Sequence, residues 1–244
     1  MKRRSFIKKS SASGLALSLA PNLLLPQGNL YSTAELMGKE KIALFGKDIN
    51  LRESAHLSFL EMKKAAYSDG FNIKIVSGYR DFARQEAIWE RKYQQYTAED
   101  GMTPMKAIDK IIAYSTIPGT SRHHWGTDID IIDAYPRVNG DVLDPAKFEE
   151  GGPFANFKKW LDENAKKHHF YLVYTNNPKR RGFKYEPWHY SYAPISIDML
   201  SAFRKRNIMQ LIQKEDFAGS EHFTSGFLRT YITDNILDIN PDLL

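Results

Sequence analysis

The segment TDIDIID, Thr127–Asp133, restricts the fold more than any other part of the sequence. Its isoleucines and aspartates alternate, so a β-strand would direct the isoleucines to one side and Asp128 and Asp130 to the other. Two histidines, His123 and His124, stand just before this segment. The pattern therefore predicts a strand with one apolar and one acidic face, and it raises the question of a metal site.

The elements around this strand do not follow a regular order of strands and helices. Apolar residues at helical spacing predict helices, and alternating or apolar runs predict strands. In chain order we predict a helix over 53–69, a strand over 71–78, helices over 81–96 and 104–114, the strand over 127–133, a helix over 153–169, strands over 170–175 and 188–193, and a helix over 195–213. A parallel doubly wound sheet needs strands and helices that alternate steadily along the chain. Because this order is absent here, we predict an α+β fold with a small, mainly antiparallel sheet flanked by helices.

The length of the chain indicates one main domain. Its 244 residues, of which 42% are hydrophobic, can bury one sizeable core. We predict that residues 51–214 form this domain, that residues 26–50 are a linker, and that residues 215–244 are a C-terminal extension whose structure the sequence does not indicate.

The net charge of +5 comes from the N-terminus. The first twenty residues contain five basic residues and no acidic one, so the rest of the chain has 34 − 5 = 29 basic and 29 acidic residues. A neutral remainder gives no electrostatic reason for a nucleic-acid partner. We therefore expect no nucleic-acid partner.

The N-terminal residues 1–25 are typical of an export signal. A basic segment precedes an apolar run that is shorter than the roughly 20 residues needed to span a bilayer. The pattern R-R-x-F-I-K at Arg3–Lys8 resembles a twin-arginine signal. We expect an exported protein, periplasmic or in the cell envelope, that contacts the membrane only through this signal if it stays uncleaved.

The absence of cysteine limits the kinds of metal site. Disulfides and thiolate ligands are excluded, so a metal ion would be held by histidine and carboxylate. His123 and Asp130 are candidates for two ligands, and the segment EPWH, Glu186–His189, supplies a second histidine with a carboxylate three residues before it. This arrangement suits a metal ligand, His189, beside a general base, Glu186.

Three separated motifs resemble those of bacterial zinc D-alanyl-D-alanine carboxypeptidases and their L,D-carboxypeptidase relatives, which trim peptidoglycan stem peptides. The motifs are SGYRDFARQ at Ser77–Gln85, S-x-H-x-x-G-x-x-x-D at Ser121–Asp130, and E-x-W-H at Glu186–His189. Together they extend over residues 53–193, and three motifs in the same order are much more specific than one. The resemblance implies the Hedgehog and DD-peptidase type of fold.

The resemblance also implies roles for individual residues. It implies one zinc ion per chain with three ligands, His123, Asp130 and His189, and it makes Glu186 the catalytic base. The terminal carboxylate of the substrate would be bound by Arg80, with help from Ser121 and Gln85. An arginine suits this task, because its planar guanidinium binds a carboxylate through two parallel hydrogen bonds.

At two positions the sequence departs from this family. The family usually has a small residue where Asp128 stands and often a basic residue where Ser191 stands. Asp128 shares its strand face with Asp130, so it could compete as a metal ligand or tune the site. His124 is expected not to be a ligand, because two adjacent histidines rarely bind one ion.

The sequence leaves alternatives open for the function. The leading hypothesis is an exported zinc carboxypeptidase that removes a terminal D-amino acid from stem peptides. The alternatives are an L,D-carboxypeptidase or a D,D-dipeptidase on the same scaffold, and a cell-wall binding module that has lost catalysis.

Overall fold

One four-stranded sheet organises the part of the chain that the structure describes. The computed structural model describes residues 30–244, and the predicted export signal at residues 1–25 lies outside them. The strands pair in the order β1-β2-β4-β3, and every pair is antiparallel. In chain order they are β1 (Ile73–Ser77), β2 (Asp128–Asp133), β3 (Phe170–Leu172) and β4 (His189–Tyr192). The predicted α+β fold with a small antiparallel sheet is confirmed.

Eight α-helices surround the sheet within residues 30–244. They are α1 (Thr33–Leu36), α2 (Glu53–Ser68), α3 (Phe82–Gln94), α4 (Pro104–Ile111), α5 (Ala155–Asn164), α6 (Ala193–Arg204), α7 (Ile208–Gln213) and α8 (Ser225–Tyr231). The single helix predicted over residues 195–213 is wrong, because two helices occupy this segment. The Asn207 side chain accepts a hydrogen bond from the backbone N–H of Gln210 and so begins α7 as a new helix.

The apolar face of β2 packs on α2 and α5. The four buried residues of α2, Ala55, Phe59, Met62 and Ala66, recur at intervals of three or four and so form one helix face. They belong to one hydrophobic cluster with Ile129 and Ile131 of β2 and with apolar residues of α5. The opposite face of β2 is therefore the one on which Asp128 and Asp130 lie.

Part of the predicted linker, residues 33–38, contributes to the core. Leu36 and Met37 are buried, and the backbone carbonyl of Leu36 accepts a hydrogen bond from the Trp125 indole N–H. The Gly38 carbonyl accepts another from the Phe82 N–H at the start of α3. Residues 33–38 thus pack beside the motif that contains His123, a contact that the composition of the segment does not indicate.

The C-terminal extension, which the sequence left unassigned, packs into the largest hydrophobic cluster. Leu228, Tyr231 and Leu243 are buried there together with Trp89 and Val173. The Tyr231 hydroxyl accepts a hydrogen bond from the Ile117 N–H and lies 2.8 Å from the Thr120 hydroxyl. The extension therefore supports the loop that leads to Ser121.

None of the helices within residues 30–244 has the length and apolar character to cross a bilayer.

Candidate functional site

The pairing of β2 with β4 positions two of the predicted site residues. Asp130 lies directly opposite His189, and Asp128 lies directly opposite Ser191. Directly opposed residues of antiparallel strands direct their side chains to the same face of the sheet. Both pairs are on the face opposite the α2 and α5 packing, and all four residues are buried.

His123 approaches the same point from a single turn of 3₁₀ helix, Arg122–Trp125. The Ser121 hydroxyl caps this turn by accepting a hydrogen bond from the His123 N–H, and Gly126, at φ 67°, redirects the chain into β2. The His123 Nδ1 lies 2.9 Å from the Gly78 carbonyl oxygen. Its Nε2 faces the Asp130 carboxylate at 3.4 Å.

The arrangement of His123, Asp130 and His189 fits a metal ion. One potential ligand atom from each lies within 4.8 Å of the other two. Two of the atoms in this group, His123 Nε2 and Asp130 Oδ1, are buried without a hydrogen-bond partner, which is costly unless a ligand satisfies them. Burial and the nearby Arg80 guanidinium lower the pKa of His123, which favours the neutral ring that a metal requires.

Glu186 lies beside this group. Its Oε2 is 2.9 Å from His189 Nδ1, and the His189 N–H donates to the Glu186 carbonyl, so a tight turn holds both residues together. Burial raises the pKa of the Glu186 carboxyl, and the hydrogen bond with His189 opposes this increase only in part. A carboxylate with a raised pKa is a stronger base.

Although burial lowers the pKa of the His189 ring, hydrogen bonds with the Asp128 and Glu186 carboxylates raise it to about 10 in the absence of metal. Burial also opposes ionisation of Asp130, but His123 and His189 lower the pKa of this carboxyl overall. The metal-free site therefore contains ionised carboxylates and one histidine, His189, that must lose a proton before it can bind a metal.

Arg80 and Ser121 line a cleft of about 630 Å³ that contains the three potential ligands and Glu186. The Arg80 Nη1 donates to the Gln85 Oε1, and Gln85 in turn donates to the Thr116 carbonyl. The Arg80 Nε is buried without a partner. Gln85 is fully buried behind Arg80, so the structure places it where it can orient the guanidinium.

His124 points away from the three potential ligands. Its Nε2 accepts a hydrogen bond from the Gly119 N–H at 3.2 Å, so its Nδ1 carries the proton and donates to the Arg80 carbonyl at 2.6 Å. Burial lowers the pKa of this ring to about 3, so it is neutral at physiological pH. His124 thus fixes the backbone of Arg80, which the sequence did not indicate.

Asp128 and Arg122 form a buried ion pair behind His189. The Arg122 Nε donates to Asp128 Oδ2 at 2.9 Å, and its Nη2 donates to the Ser191 hydroxyl at 2.7 Å. The sequence motif places Arg122 next to His123, but nothing in the spacing shows that it pairs with Asp128. Asp128 and Ser191 are thus in contact with the same guanidinium.

The sequence matches the family described as VanY, D-alanyl-D-alanine carboxypeptidase, over residues 48–195. This match covers more than half of the chain and contains all seven predicted site residues, so the chain belongs to this family.

Curated relatives include a D-alanyl-D-alanine carboxypeptidase of Enterococcus faecalis, 31% identical over 151 residues, which are 62% of this chain and 50% of that protein. The putative carboxypeptidase YodJ of Bacillus subtilis is 29% identical over 174 residues, 71% of this chain and 53% of that protein. An uncharacterized protein of Haemophilus influenzae is 34% identical over 107 residues, 43% of this chain and 82% of that protein. The chain spans about half the length of the two carboxypeptidases.

Two solved structures share the fold. A vancomycin-resistance D,D-pentapeptidase, VanY from a VanB-type cassette, in complex with Zn(II), is 24% identical with a TM-score of 0.51, over 67% of this chain and 84% of that chain. VanYB in complex with D-alanine-D-alanine is 23% identical with a TM-score of 0.52, over 73% of this chain and 92% of that chain.

Proposed function

We propose that the protein is an exported zinc carboxypeptidase that removes a terminal D-amino acid from peptidoglycan stem peptides. The observation that carries this proposal is the convergence of His123, Asp130 and His189 beside the Glu186 carboxylate, in one cleft with Arg80. Membership of the D-alanyl-D-alanine carboxypeptidase family supports the reaction and the substrate class.

The residues of the centre suit zinc. Two imidazoles and one carboxylate are ligands that zinc commonly takes, and catalytic zinc sites use three protein ligands and leave one position open. His123 would bind through Nε2 and His189 through Nδ1, since these nitrogens face Asp130. When bound, zinc would polarise the scissile carbonyl and make water more acidic.

Glu186 would act as the general base and then as the general acid. Its buried carboxylate, with a raised pKa, takes a proton from the attacking water and later passes it to the leaving amine. The proton thus moves from water to the Glu186 carboxylate and then to the nitrogen of the departing amino acid, and Glu186 ends ionised again.

Arg80 would select peptides with a free terminal carboxylate. Its guanidinium lines the cleft, and the buried Nε has no partner within the protein, so it can donate to a bound anion. Ser121 lines the same cleft and lies next to the turn that carries His123. A carboxylate bound here would place the terminal peptide bond near the metal ligands, as an exopeptidase requires.

Export is supported by the basic and apolar pattern of residues 1–25. The test is to fractionate cells that express the full chain and a variant in which Arg3 and Arg4 are both replaced by lysine. Export through a twin-arginine pathway requires that the variant stays in the cytoplasm, and an equal distribution of both proteins contradicts this part of the proposal.

The activity can be tested by incubating the purified protein with a stem pentapeptide, with and without a chelator. Release of one D-alanine that stops with chelator and returns with zinc is expected. No release, or release that is insensitive to the chelator, contradicts the proposed zinc-dependent activity and favours a cell-wall binding module. Mass analysis of the products of a tetrapeptide, a pentapeptide and free D-alanyl-D-alanine separates the alternatives, because an L,D-carboxypeptidase shortens the tetrapeptide and a D,D-dipeptidase cleaves the free dipeptide.

A further inference from the structure

The His189 ring lies between two carboxylates. Its Nε2 is 3.0 Å from Asp128 Oδ2, and its Nδ1 is 2.9 Å from Glu186 Oε2. A neutral imidazole has one N–H, so only one of the two carboxylates can receive it, and the other ring nitrogen then exposes its lone pair. The choice between the two carboxylates decides which nitrogen can bind a metal.

We propose that Asp128 is a positioning residue: its Oδ2 accepts the Nε2–H of the neutral His189 ring and so leaves the Nδ1 lone pair for the metal. The inference rests on the zinc site proposed above. The nitrogen freed in this way is the one that faces Asp130, with Nδ1 at 3.8 Å from Asp130 Oδ1. A metal-binding histidine generally donates its other N–H to a carboxylate or carbonyl, which fixes the tautomer and the ring orientation.

Asp128 is held firmly enough to act in this way. Its Oδ1 accepts hydrogen bonds from the hydroxyls of Thr127 at 2.8 Å and Ser191 at 2.6 Å. Its Oδ2 accepts from Arg122 at 2.9 Å in addition to His189. Four donors occupy about all of the lone-pair positions of a carboxylate, so Asp128 has none left with which to bind a metal.

Arg122 balances the charge of Asp128. Both side chains are buried, and an ionised carboxylate in such a place needs a paired charge and several hydrogen bonds. The Arg122 Nη2 also donates to Ser191, which sits opposite Asp128 on β4. The ion pair is therefore fixed to both central strands of the sheet and not to one of them.

The arrangement also leaves Glu186 available. If Glu186 received the N–H of the neutral ring, the Nδ1 lone pair would be blocked and the carboxylate would be engaged in a hydrogen bond. With the proton on the Asp128 side, Nδ1 binds the metal and the Glu186 oxygen is free to accept a proton from water. The hydrogen bond between His189 Nε2 and Asp128 thus supports metal binding at Nδ1 and also leaves Glu186 free to act as the general base.

The experiment measures zinc affinity by competition with a chromophoric chelator, so it does not depend on turnover. Asp128→Ala removes the oxygen that accepts the His189 N–H and is expected to lower the affinity about 10- to 100-fold, the usual loss for a partner of a metal-binding histidine. Because this change leaves the Arg122 charge unpaired, the double variant Asp128→Ala with Arg122→Met removes both charges and should show the same loss. Thermal denaturation of the zinc-free proteins verifies that each variant is folded.

Asp133→Ala is the matched control. Asp133 is also a buried carboxylate of β2, and it accepts hydrogen bonds from the backbone of Asn72 and Tyr135, away from the cleft. Its replacement should leave zinc affinity unchanged within about threefold. In the zinc-loaded wild type, nitrogen NMR of labelled histidines should find the His189 proton on Nε2.

The outcomes separate this inference from the proposed function. Suppose that the wild type binds one zinc per chain. If both Asp128 variants then bind zinc as tightly, or if His189 is ligated through Nε2, the proposed role of Asp128 is wrong, but the proposed zinc enzyme is unaffected. If the wild type binds no zinc, the proposed zinc site fails, and the role of Asp128 fails with it.

Discussion

The Oε2 of Glu186 lies 2.9 Å from the Nδ1 of His189, and both side chains are buried in the same cleft. Without a metal, this contact is a hydrogen bond from a protonated ring, whose pKa is raised to about 10. A metal at Nδ1 would displace that proton and release the carboxylate. In the proposed site, binding of the ion and release of the Glu186 carboxylate would therefore be linked through one nitrogen.

The first prediction concerns Glu186→Gln. The amide keeps the size of the side chain but cannot accept a proton, so kcat should fall about 10²- to 10⁴-fold, the usual contribution of a general acid or base. Zinc content, measured by metal analysis after desalting, should remain at one per chain. The exposed Glu163→Gln on α5 is the control and should have wild-type kcat. Full activity of Glu186→Gln would remove this residue from the mechanism.

The second prediction concerns Arg80→Met. Loss of a charge-assisted hydrogen bond to the terminal carboxylate should cost about 1.5–3 kcal/mol, which lowers kcat/KM about 10- to 150-fold. A peptide with a terminal carboxamide lacks the anion, so the variant and the wild type should process it equally slowly. Arg84→Met, on an exposed position of α3, is the control. An equal loss on both peptides would mean that Arg80 does not recognise the carboxylate.

The third prediction concerns His124, which links the Gly119 N–H to the Arg80 carbonyl. His124→Ala leaves the buried Gly119 N–H without an acceptor, so the free energy of unfolding should fall by about 1–3 kcal/mol, and KM should rise as Arg80 loses its support. His124→Gln keeps one donor and one acceptor, so its KM should be close to the wild-type value. A merely structural role would lower stability in the alanine variant but leave KM unchanged. Denaturant unfolding and steady-state kinetics measure the two effects.

The fourth prediction is the pH dependence of the metal-free protein. The pKa of His189 is raised from an ordinary value of 6.5 to about 10 in the folded state, so its contribution to stability is fully present below pH 6.5 and is lost as pH rises toward 10. The melting temperature of chelator-treated protein should therefore fall between pH 7 and pH 9.5, and His189→Gln should flatten this slope. Zinc affinity should rise over the same range, because zinc competes with the proton. A metal-free melting temperature that rises with pH in this window would contradict the prediction.

The fifth prediction concerns the C-terminal extension. Tyr231→Phe removes the acceptor of the buried Ile117 N–H, so the free energy of unfolding should fall by about 1–3 kcal/mol. The exposed Tyr67→Phe should change it by less than about 0.5 kcal/mol. Urea unfolding compares the two variants with the wild type, and equal values for all three would show that the extension does not support the loop before Ser121.

The convergence of His123, Asp130 and His189 could be predicted from the sequence because each one is a chemically distinctive residue inside a short motif. The orientation of the rings could not, since the side of His189 that faces Asp130 depends on the pairing of β4 with β2. The roles of His124 and Arg122 depend on contacts with the Arg80 backbone and with Ser191, which are distant in the sequence. The packing of residues 215–244 was not indicated because its apolar residues form no motif.

The pairing of Asp130 with His189 and of Asp128 with Ser191 has a consequence for refolding. A slip of one position between β2 and β4 would put Ile129 opposite His189 and turn the acidic side chains to the wrong face. No ion could then find its three ligands. Zinc uptake by refolded protein would thus measure the fraction of molecules in which β2 and β4 have paired in the correct register.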